Sequence, residues 1–321
     1  MRKLYVLPFD HRGSFAKMFG MKHGSLTAEQ VIVLKDYKHV IYEGFLAALN
    51  MGISKEDGAI LVDEELGTEI HKEAQVAGIT RILTVEKSGQ DEFDFEYGDA
   101  FGAHIKKLQP NYVKALVRYN PRGDVEMNKR QAVRLKKLGD FCVKNGYKFL
   151  FELLATPTEK DINECGGKEN YDDGGRWKVM IGAIRELKCA GVEPDIWKLE
   201  GLNDEKQFAT VVEEARKNDY SPSGVEGFMN NRPSTSSGNN FKSKGKEISV
   251  IVLGRGESDQ KVRHWLEVAA GIPGVIGMAV GRTIWSRPLS DFAAKKISRS
   301  AAAERIAKNY KGFVELFESE R

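Results

Sequence analysis

The chain has 321 residues, 41% hydrophobic and 30% charged, with a formal net charge of +3 at pH 7. This balance supplies material for a core and gives no reason to expect nucleic acid or an anionic membrane as a partner. No apolar run approaches the roughly 20 residues of a membrane span, and the N-terminal apolar stretch is too short for a signal peptide. The widely spaced Cys142, Cys165 and Cys189 indicate reduced thiols in a cytoplasmic protein.

Eight short runs have the composition of β-strands, and segments with helical periodicity separate them. The strand-like runs cover residues 4–10, 58–67, 81–87, 112–120, 147–155, 195–202, 248–256 and 274–282. Helices are predicted over 27–50, 127–145, 177–190, 204–217 and 259–270, followed by a helical region over about 289–319. Strands that alternate with helices favour parallel strands joined by right-handed crossovers. Eight such units predict an α/β protein with a single (β/α)8 barrel over residues 1–321.

Two features qualify this prediction. A doubly wound open sheet is the structural alternative, but no Gly-rich nucleotide-binding loop follows the first strand, which ends in "FDHRG". Residues 219–247 are rich in Ser, Gly, Asn and Lys and poor in aliphatic residues, which is typical of a flexible insertion. Because this segment joins the sixth helix to the seventh strand, we expect it at the N-terminal face of the barrel, away from the chemistry.

Most of the strand-like runs contain charged residues in or near their C-terminal parts. Barrel enzymes carry their active sites at the C-terminal ends of the strands. These charged residues are Asp10, His11, Arg12, Asp63, Glu64, Glu86, Lys87, Lys114, Arg118, Glu152, Lys198, Glu200 and Arg282. Each of them alone is more often a surface charge than a functional group. Lys114, Glu152 and Lys198 differ because apolar residues flank them on three successive strands. Successive strands are neighbours in a barrel, so these three side chains can converge inside its mouth.

Two lysines and a carboxylate have a specific chemical use. A lysine attacks a carbonyl only as the neutral amine, and desolvation and a second nearby cation both favour that form. Glu152 could then transfer protons while a carbinolamine forms and loses water. Lys198 is the preferred nucleophile and Lys114 its rival. The alternative is a buried ion-pair network that only links the strands, although such networks seldom stabilise a fold better than apolar packing.

The last two strands indicate a phosphate site. Gly254 and Gly256 in "GRG" let backbone amides approach a ligand, and Arg282 follows Gly281. In barrels, the loops after strands seven and eight often hold a phosphate next to a helix N-terminus. The histidines show neither HxH nor HExxH spacing, so zinc has little support, and "DEELG" (63–67) as a magnesium site is less common than solvated strand-end carboxylates.

Several motifs, in order along residues 4–288, resemble one bacterial aldolase-like family. They are "FDHRG", "VEKSGQDEFDFEYG", "ALVRYN", "FELL", "WKLEGL", "VLGRGE" and "GRTIW". The family is the domain found behind the sugar kinase of myo-inositol breakdown, the 2-deoxy-5-keto-gluconate-6-phosphate aldolase. A more distant similarity reaches the class I tagatose-1,6-bisphosphate and sulfofructose-phosphate aldolases.

The resemblance implies roles for individual residues. Lys198 matches the Schiff-base lysine, Glu152 and Lys114 its acid–base partners, and Asp10 the group that handles the proton of the substrate hydroxyl. Arg282 matches a phosphate-binding arginine. The other residues expected around the substrate or its phosphate are Gly281, Gly254, Arg255, Gly256, Arg12, His11 and Lys87. The bisphosphate aldolases have a serine in place of Gly254, followed here by Arg255, so the anion site can be arranged differently.

The sequence therefore predicts a class I aldolase without metal or cofactor that acts on a small phosphorylated molecule. The resemblance implies cleavage of 2-deoxy-5-keto-gluconate 6-phosphate to dihydroxyacetone phosphate and malonate semialdehyde. A ketose bisphosphate such as tagatose or fructose 1,6-bisphosphate is the alternative substrate. A non-catalytic sugar-phosphate-binding barrel is the alternative of a different class. Assembly into a homo-oligomer is left open.

Overall fold

The structure is a computed structural model that describes residues 2–218 and 247–321. Eight parallel strands form a closed barrel in chain order, with β8 paired to β1. They are β1 (Leu4–Pro8), β2 (Gly58–Val62), β3 (Thr80–Thr84), β4 (Tyr112–Tyr119), β5 (Lys148–Ala155), β6 (Ile196–Glu200), β7 (Ser249–Leu253) and β8 (Val275–Ala279). The predicted (β/α)8 barrel is confirmed, and each strand is shorter than the run that predicted it.

Helices connect the strands and surround the barrel. They are α1 (Gly13–Met18), α2 (Ala28–Asn50), α3 (Glu64–Val76), α4 (Phe101–Leu108), α5 (Val125–Asn145), α6 (Glu159–Glu164), α7 (Lys168–Gly174), α8 (Arg176–Cys189), α9 (Glu205–Arg216), α10 (Asp259–Ala270), α11 (Arg282–Ala293) and α12 (Arg299–Ser319). At the start of α2 the Thr27 hydroxyl accepts from Gln30 N, and the Gln30 side chain accepts from Thr27 N. This capping box satisfies two N–H groups that the helix itself leaves without partners.

Two predicted boundaries differ most from the structure. The run 58–67 is a strand only to Val62, because the carboxylate of Asp63 accepts from Leu66 N at 2.8 Å and so caps α3. The final helical region begins at Arg282 instead of 289 and consists of two helices. The Ser298 hydroxyl accepts from Ala301 N and starts the second of them, α12, in a new direction.

Apolar side chains fill both sides of the sheet. A large cluster lies between the strands and the helices, and a smaller one fills the inside of the barrel. The inner cluster consists of Leu4, Val6, Ala59, Leu61, Ile82, Leu150, Ile196, Ile251, Ile276 and Ala279. Since side chains alternate across a strand, Leu150 places Glu152 on the same inner face of β5. The inside of the barrel thus changes from aliphatic to charged along the strand direction.

The predicted insertion at 219–247 lies outside the described residues except for Glu247. The described chain on either side ends with α9 and resumes just before β7. Both flanks are therefore at the end of the barrel where strands begin. None of the helices in the two described ranges combines the length and the apolar character needed to cross a bilayer.

Candidate active site

A cavity of about 570 Å³ opens at the C-terminal end of the strands. This size suits a small-molecule ligand. Its lining includes the four predicted catalytic residues Lys198, Glu152, Lys114 and Asp10. It also includes the predicted binding residues His11, Arg12, Lys87, Gly254, Arg255, Gly256, Gly281 and Arg282. The structure thus brings all the predicted site residues to one place.

Lys198 extends from β6 into the base of this cavity and is only 5% exposed. Its neighbour across the β5–β6 pair is Glu152, and 2.6 Å separate Lys198 Nζ from Glu152 Oε1. Among the described residues this is the one carboxylate within ion-pair distance of Lys198. The strand's apolar flanks, Trp197 and Leu199, face outward into the main core and are fully buried. Alternation along β6 therefore accounts for a lysine between two core residues.

Lys114 lies deeper, on the inner face of β4, and is surrounded by three carboxylates. Its Nζ is 2.6 Å from Glu86 Oε1, 2.9 Å from Asp10 Oδ2 and 3.0 Å from Glu152 Oε2. Burial disfavours the charge, but the three carboxylates outweigh it and raise the pKa of Lys114 well above its usual value. Lys114 is therefore a permanent ammonium group at neutral pH.

The acidic residues of the cluster are correspondingly ionised. Burial disfavours the charge of Glu152, but Lys114 and Lys198 outweigh it and lower the pKa of this carboxyl. The pKa of Asp10 is lowered in the same way: burial opposes ionisation, and Lys114, His11 and Lys198 overcome it. Both groups therefore carry proton-accepting oxygens at neutral pH, at the positions where they contact the lysines.

Glu86 was not among the predicted site residues, yet it makes one of the shortest contacts of Lys114. It follows β3 and pairs with Phe95 in an isolated antiparallel bridge, which fixes its position. Arg12 holds this segment, since Arg12 Nη1 is 2.5 Å from Glu96 Oε2 and its Nη2 donates to the Glu86 carbonyl. Both terminal nitrogens of Arg12 are thus used within the protein. The signal in the sequence was the position of Glu86, an acidic residue near the end of the third strand-like run, 81–87.

His11 forms part of the wall between the lysines and the rim. Its ring packs edge-to-face on Trp285, with 5.7 Å between the ring centroids. Burial lowers the pKa of His11 to about 4, with Arg282, Lys38 and Lys198 adding to the effect and Asp10 opposing it. The imidazole is therefore neutral at pH 7. Among the described residues its buried Nδ1 has no hydrogen-bond partner, and the nearest carboxylate oxygen in ion-pair range is Asp10 Oδ1 at 3.9 Å.

Arg282 starts α11 at the β8 side of the mouth. The residue before it is Gly281, where any side chain would collide with the Pro8 carbonyl, and Gly256 has φ +78° with the Arg282 guanidinium packed over it. Glycine is thus required at both positions for this close approach. Arg282 Nη2 donates to the Arg255 carbonyl at 2.6 Å. Within the described chain no carboxylate lies within 4.0 Å of Arg282, so a cation and a helix N-terminus face the cavity together.

Arg255 and Lys87 occupy different surroundings at the rim. Arg255 has φ 54° and pairs with Asp172 at 3.2 Å and with Glu200 at 3.3 Å. Its side chain is therefore held by carboxylates, whereas its carbonyl positions Arg282. Lys87 is exposed, and no ion pair is formed by it within residues 2–218 and 247–321. Both residues remain predicted substrate-binding residues.

The carboxylates of "DEELG" are paired with cationic or imidazole side chains of the protein. Asp63 pairs with the buried Lys38, and Glu64 lies 2.7 Å from His104 Nδ1 and 3.0 Å from Lys107 Nζ. In the described parts of the chain, no three His, Cys, Asp or Glu side chains are grouped so that they could hold a metal ion.

The chain matches one known protein family along its whole length. Residues 1–246 and 242–321 match the family described as an uncharacterized protein conserved in bacteria, DUF2090. The chain belongs to this family. Among curated proteins no sequence match was found. The family description names no activity, so the resemblance to 2-deoxy-5-keto-gluconate-6-phosphate aldolases stays a prediction.

Solved structures resemble the chain over nearly its whole length. A fructose-bisphosphate aldolase from Plasmodium falciparum, solved in complex with TRAP and an inhibitor, superposes with a TM-score of 0.64 at 12% identity, covering 100% of this chain and 92% of that one. A Schiff-base-forming fructose-1,6-bisphosphate aldolase gives 0.51 at 16% identity, with 95% and 93% coverage. A protein of Corynebacterium glutamicum gives 0.52 at 13% identity, with 96% and 85% coverage. At these identities the likeness establishes the barrel fold alone.

Proposed function

We propose that this protein is a class I aldolase in which Lys198 forms a Schiff base with a phosphorylated keto sugar or sugar acid. The observation that carries the proposal is the unequal sharing of carboxylates between two buried lysines. Lys114 contacts three carboxylates, and Lys198 contacts one of these, Glu152. Two lysines in one pocket thus have different roles, a fixed cation and a candidate nucleophile.

The geometry favours Lys198 over its rival for two reasons. Lys114 is 1% exposed, and its raised pKa keeps it protonated, so it has no free electron pair for attack. Lys198 lies next to an ionised carboxylate, Glu152, that can take up and return a proton, while Lys114 holds the other oxygen of the same carboxylate. Glu152 is therefore the group through which protons would reach and leave Lys198.

In the first half of the proposed reaction, the neutral amine of Lys198 attacks the ketone carbon and a carbinolamine forms. Glu152, having taken a proton from the amine, gives it to the departing hydroxyl group, which leaves as water and yields an iminium ion. The ionised Asp10 then removes the proton of the substrate hydroxyl on the β-carbon. The bond between the α- and β-carbons breaks, the aldehyde leaves, and the electron pair moves to the nitrogen as an enamine.

In the second half, the enamine takes on its α-carbon the proton that Asp10 had removed, so it becomes an iminium ion again and Asp10 is restored to its ionised form. Water adds to it, Glu152 assists the proton transfers, and the ketone product leaves with Lys198 restored as an amine. Lys114 stays charged throughout and stabilises the carboxylates in their ionised forms. Arg282 and the start of α11 would hold the phosphate, which fixes the ketone within reach of Lys198.

The predicted substrate is 2-deoxy-5-keto-gluconate 6-phosphate, with dihydroxyacetone phosphate and malonate semialdehyde as products. A hexulose bisphosphate such as tagatose or fructose 1,6-bisphosphate fits the same machinery. A barrel that only binds sugar phosphates would use the same lining without turnover. Arg282, which has no carboxylate within 4.0 Å among the described residues, supports any of these ligands, whereas the lysine pair supports catalysis.

Trapping with borohydride tests the proposal directly. Borohydride added with substrate should reduce the iminium and leave a covalent adduct, which peptide mass spectrometry should place on Lys198. Lys198→Ala should abolish adduct and release of triose phosphate, and Lys198→Arg should do no better, because a guanidinium cannot become a neutral amine. Lys308→Ala, an exposed lysine on α12, is the control. An adduct on Lys114, or activity lost to a chelator without any adduct, would refute the assignment.

A further inference from the structure

We propose that Arg118 forms a second anion subsite across the mouth from Arg282, so that the substrate carries an acidic group at each end. The inference rests on the proposed function for the position of the ketone, and on the structure for the two cations. Arg118 projects from the inner face of β4 and lines the same cavity as Lys198 and Arg282.

The topology puts the two arginines on opposite sides. The barrel closes in the order β1 to β8, so β4 is four strands away from β8 in either direction. Arg282 follows β8, whereas Arg118 is on β4. Leu116 pairs with Glu152, which in turn pairs with Lys198. Arg118 lies two residues beyond Leu116, about 7 Å further toward the rim. Lys198, on β6, lies midway around the barrel wall between the strands of the two arginines.

Arg118 differs from most arginines around it because it lacks an acidic partner. The residue as a whole is half-buried, and Nη1 donates to the Gln90 carbonyl at 3.1 Å in an exposed hydrogen bond. Within residues 2–218 and 247–321 no carboxylate lies within 4.0 Å of it, although Asp91 lines the cavity too. Neighbouring arginines that do pair with carboxylates are Arg12, Arg122, Arg130, Arg134 and Arg255. The guanidinium of Arg118 therefore has further N–H donors with which it could bind a carboxylate or phosphate of a ligand.

The segment after Glu86 completes this side of the mouth. Lys87, Ser88, Gly89 and Gln90 all line the cavity, and Gly89 has φ +75° with open space around its α-carbon. Lys87 adds a second exposed cation near Arg118 that forms no ion pair within the described ranges. The subsite is therefore polar and positively charged, whereas an apolar tail of a substrate would leave Arg118 unpaired.

The pair of subsites restricts the class of substrate. One acidic group next to the ketone would bind at Arg282, and a second at the far end of the carbon chain would bind at Arg118. A ketose bisphosphate and a phosphorylated keto sugar acid both satisfy this requirement. A ketose with a single phosphate leaves one subsite empty, and we expect it to be a poor substrate.

Binding of polyol phosphates tests the subsite without requiring turnover. Glucitol 1,6-bisphosphate and glucitol 6-phosphate have no carbonyl, so they cannot react with Lys198. We expect calorimetry to show the bisphosphate binding at least about tenfold more tightly than the monophosphate. Arg118→Gln should remove most of this difference and leave the monophosphate affinity within about threefold, whereas Arg282→Gln should weaken both. Arg118→Lys, which keeps the charge but not the paired donors, should be intermediate.

The outcomes separate the two proposals. Arg305→Gln on α12, also an exposed arginine, is the matched control and should bind like the wild type. If Arg118→Gln keeps the full preference for the bisphosphate while its melting temperature is unchanged, the subsite is refuted, whether or not the protein is an aldolase. If the preference depends on Arg118 but no ketose phosphate is cleaved or trapped, the subsite stands and the aldolase proposal fails. If Arg118→Gln does not fold, the ratio of bisphosphate to monophosphate affinity in Arg118→Lys tests the subsite instead, and an unchanged ratio refutes it.

Discussion

The two ends of the barrel interior differ sharply in chemistry although the same eight strands form both. Near the start of the strands the inner face is aliphatic, with Leu4, Leu150 and Ile196 buried. Two positions further along β5 and β6, the same face carries Glu152 and Lys198. Burying unpaired charge costs far more than burying aliphatic groups, and even paired charges rarely stabilise a fold better than apolar residues.

The difference shows which end is built for stability and which for function. Aliphatic residues could fill the mouth as they fill the opposite end, and the fold would lose nothing by it. Instead the mouth combines three carboxylates with two lysines, and one of these lysines has only a single carboxylate near it. Ionisable groups with perturbed pKa values in a cavity are typical of active sites. The contrast therefore supports the proposed chemistry and can be tested from either end.

The largest effect is expected from Lys198→Met, which keeps the length of the side chain and removes the amine. Turnover should fall on the order of 10⁴-fold or more, because no other group can form the Schiff base. The free energy of unfolding should change by less than about 1 kcal/mol, since Glu152 keeps Lys114 as a partner. Steady-state assays of triose phosphate release and urea titration measure both quantities. A large loss of stability would instead favour a purely structural ion-pair network.

Lys114→Met should damage both properties. Asp10, Glu86 and Glu152 would lose their shared cation, and three neighbouring carboxylates would repel one another. Breaking a buried pair of this kind costs about 3–5 kcal/mol of stability, and activity should also be lost. Urea titration against Lys308→Met, an exposed lysine on α12, measures the difference. If Lys114→Met and Lys198→Met had the same free energy of unfolding, Lys114 would not be the structural cation that distinguishes it from the proposed nucleophile Lys198.

At the other end of the barrel, Leu4→Ala should affect stability alone. Leu4, the first residue of β1, is buried inside the barrel, and its truncation leaves a cavity that costs about 2–5 kcal/mol. The turnover number of the folded fraction should stay within about twofold, since the residue does not line the active-site cavity. Val133→Ala, on the exposed face of α5, is the control and should change stability by less than about 0.5 kcal/mol. If turnover fell as far as it does in Lys198→Met, the aliphatic end of the barrel interior would not be independent of the active-site end.

The sequence predicted the barrel and the central lysines because both follow from periodicity. Eight strand-like runs alternate with helical segments, and Lys114, Glu152 and Lys198 interrupt apolar runs on neighbouring strands. It did not reveal that Glu86 contacts Lys114 or that Asp63 caps a helix. Both contacts depend on where a strand ends. A polar residue after an apolar run is equally compatible with a strand end, a turn or a helix cap. Which cations lack an acidic partner among the described residues, as Arg118 and Arg282 do, depends on tertiary contacts that no local pattern encodes.

The smallest effect is expected from removing about residues 222–244, which lie outside the described residues. The chain leaves α9 at Arg216 and enters β7 at Ser249, both at the end of the barrel where strands begin. The candidate site is at the opposite end, so cleavage activity should stay within a few-fold when a short Gly/Ser linker joins the two flanks. The same assays used for Lys198→Met measure it, with the melting temperature as a check on folding. A deletion variant that folds but loses activity would show that this segment contributes to the site or to an interface the site requires, and the separation of the two ends would then be incomplete.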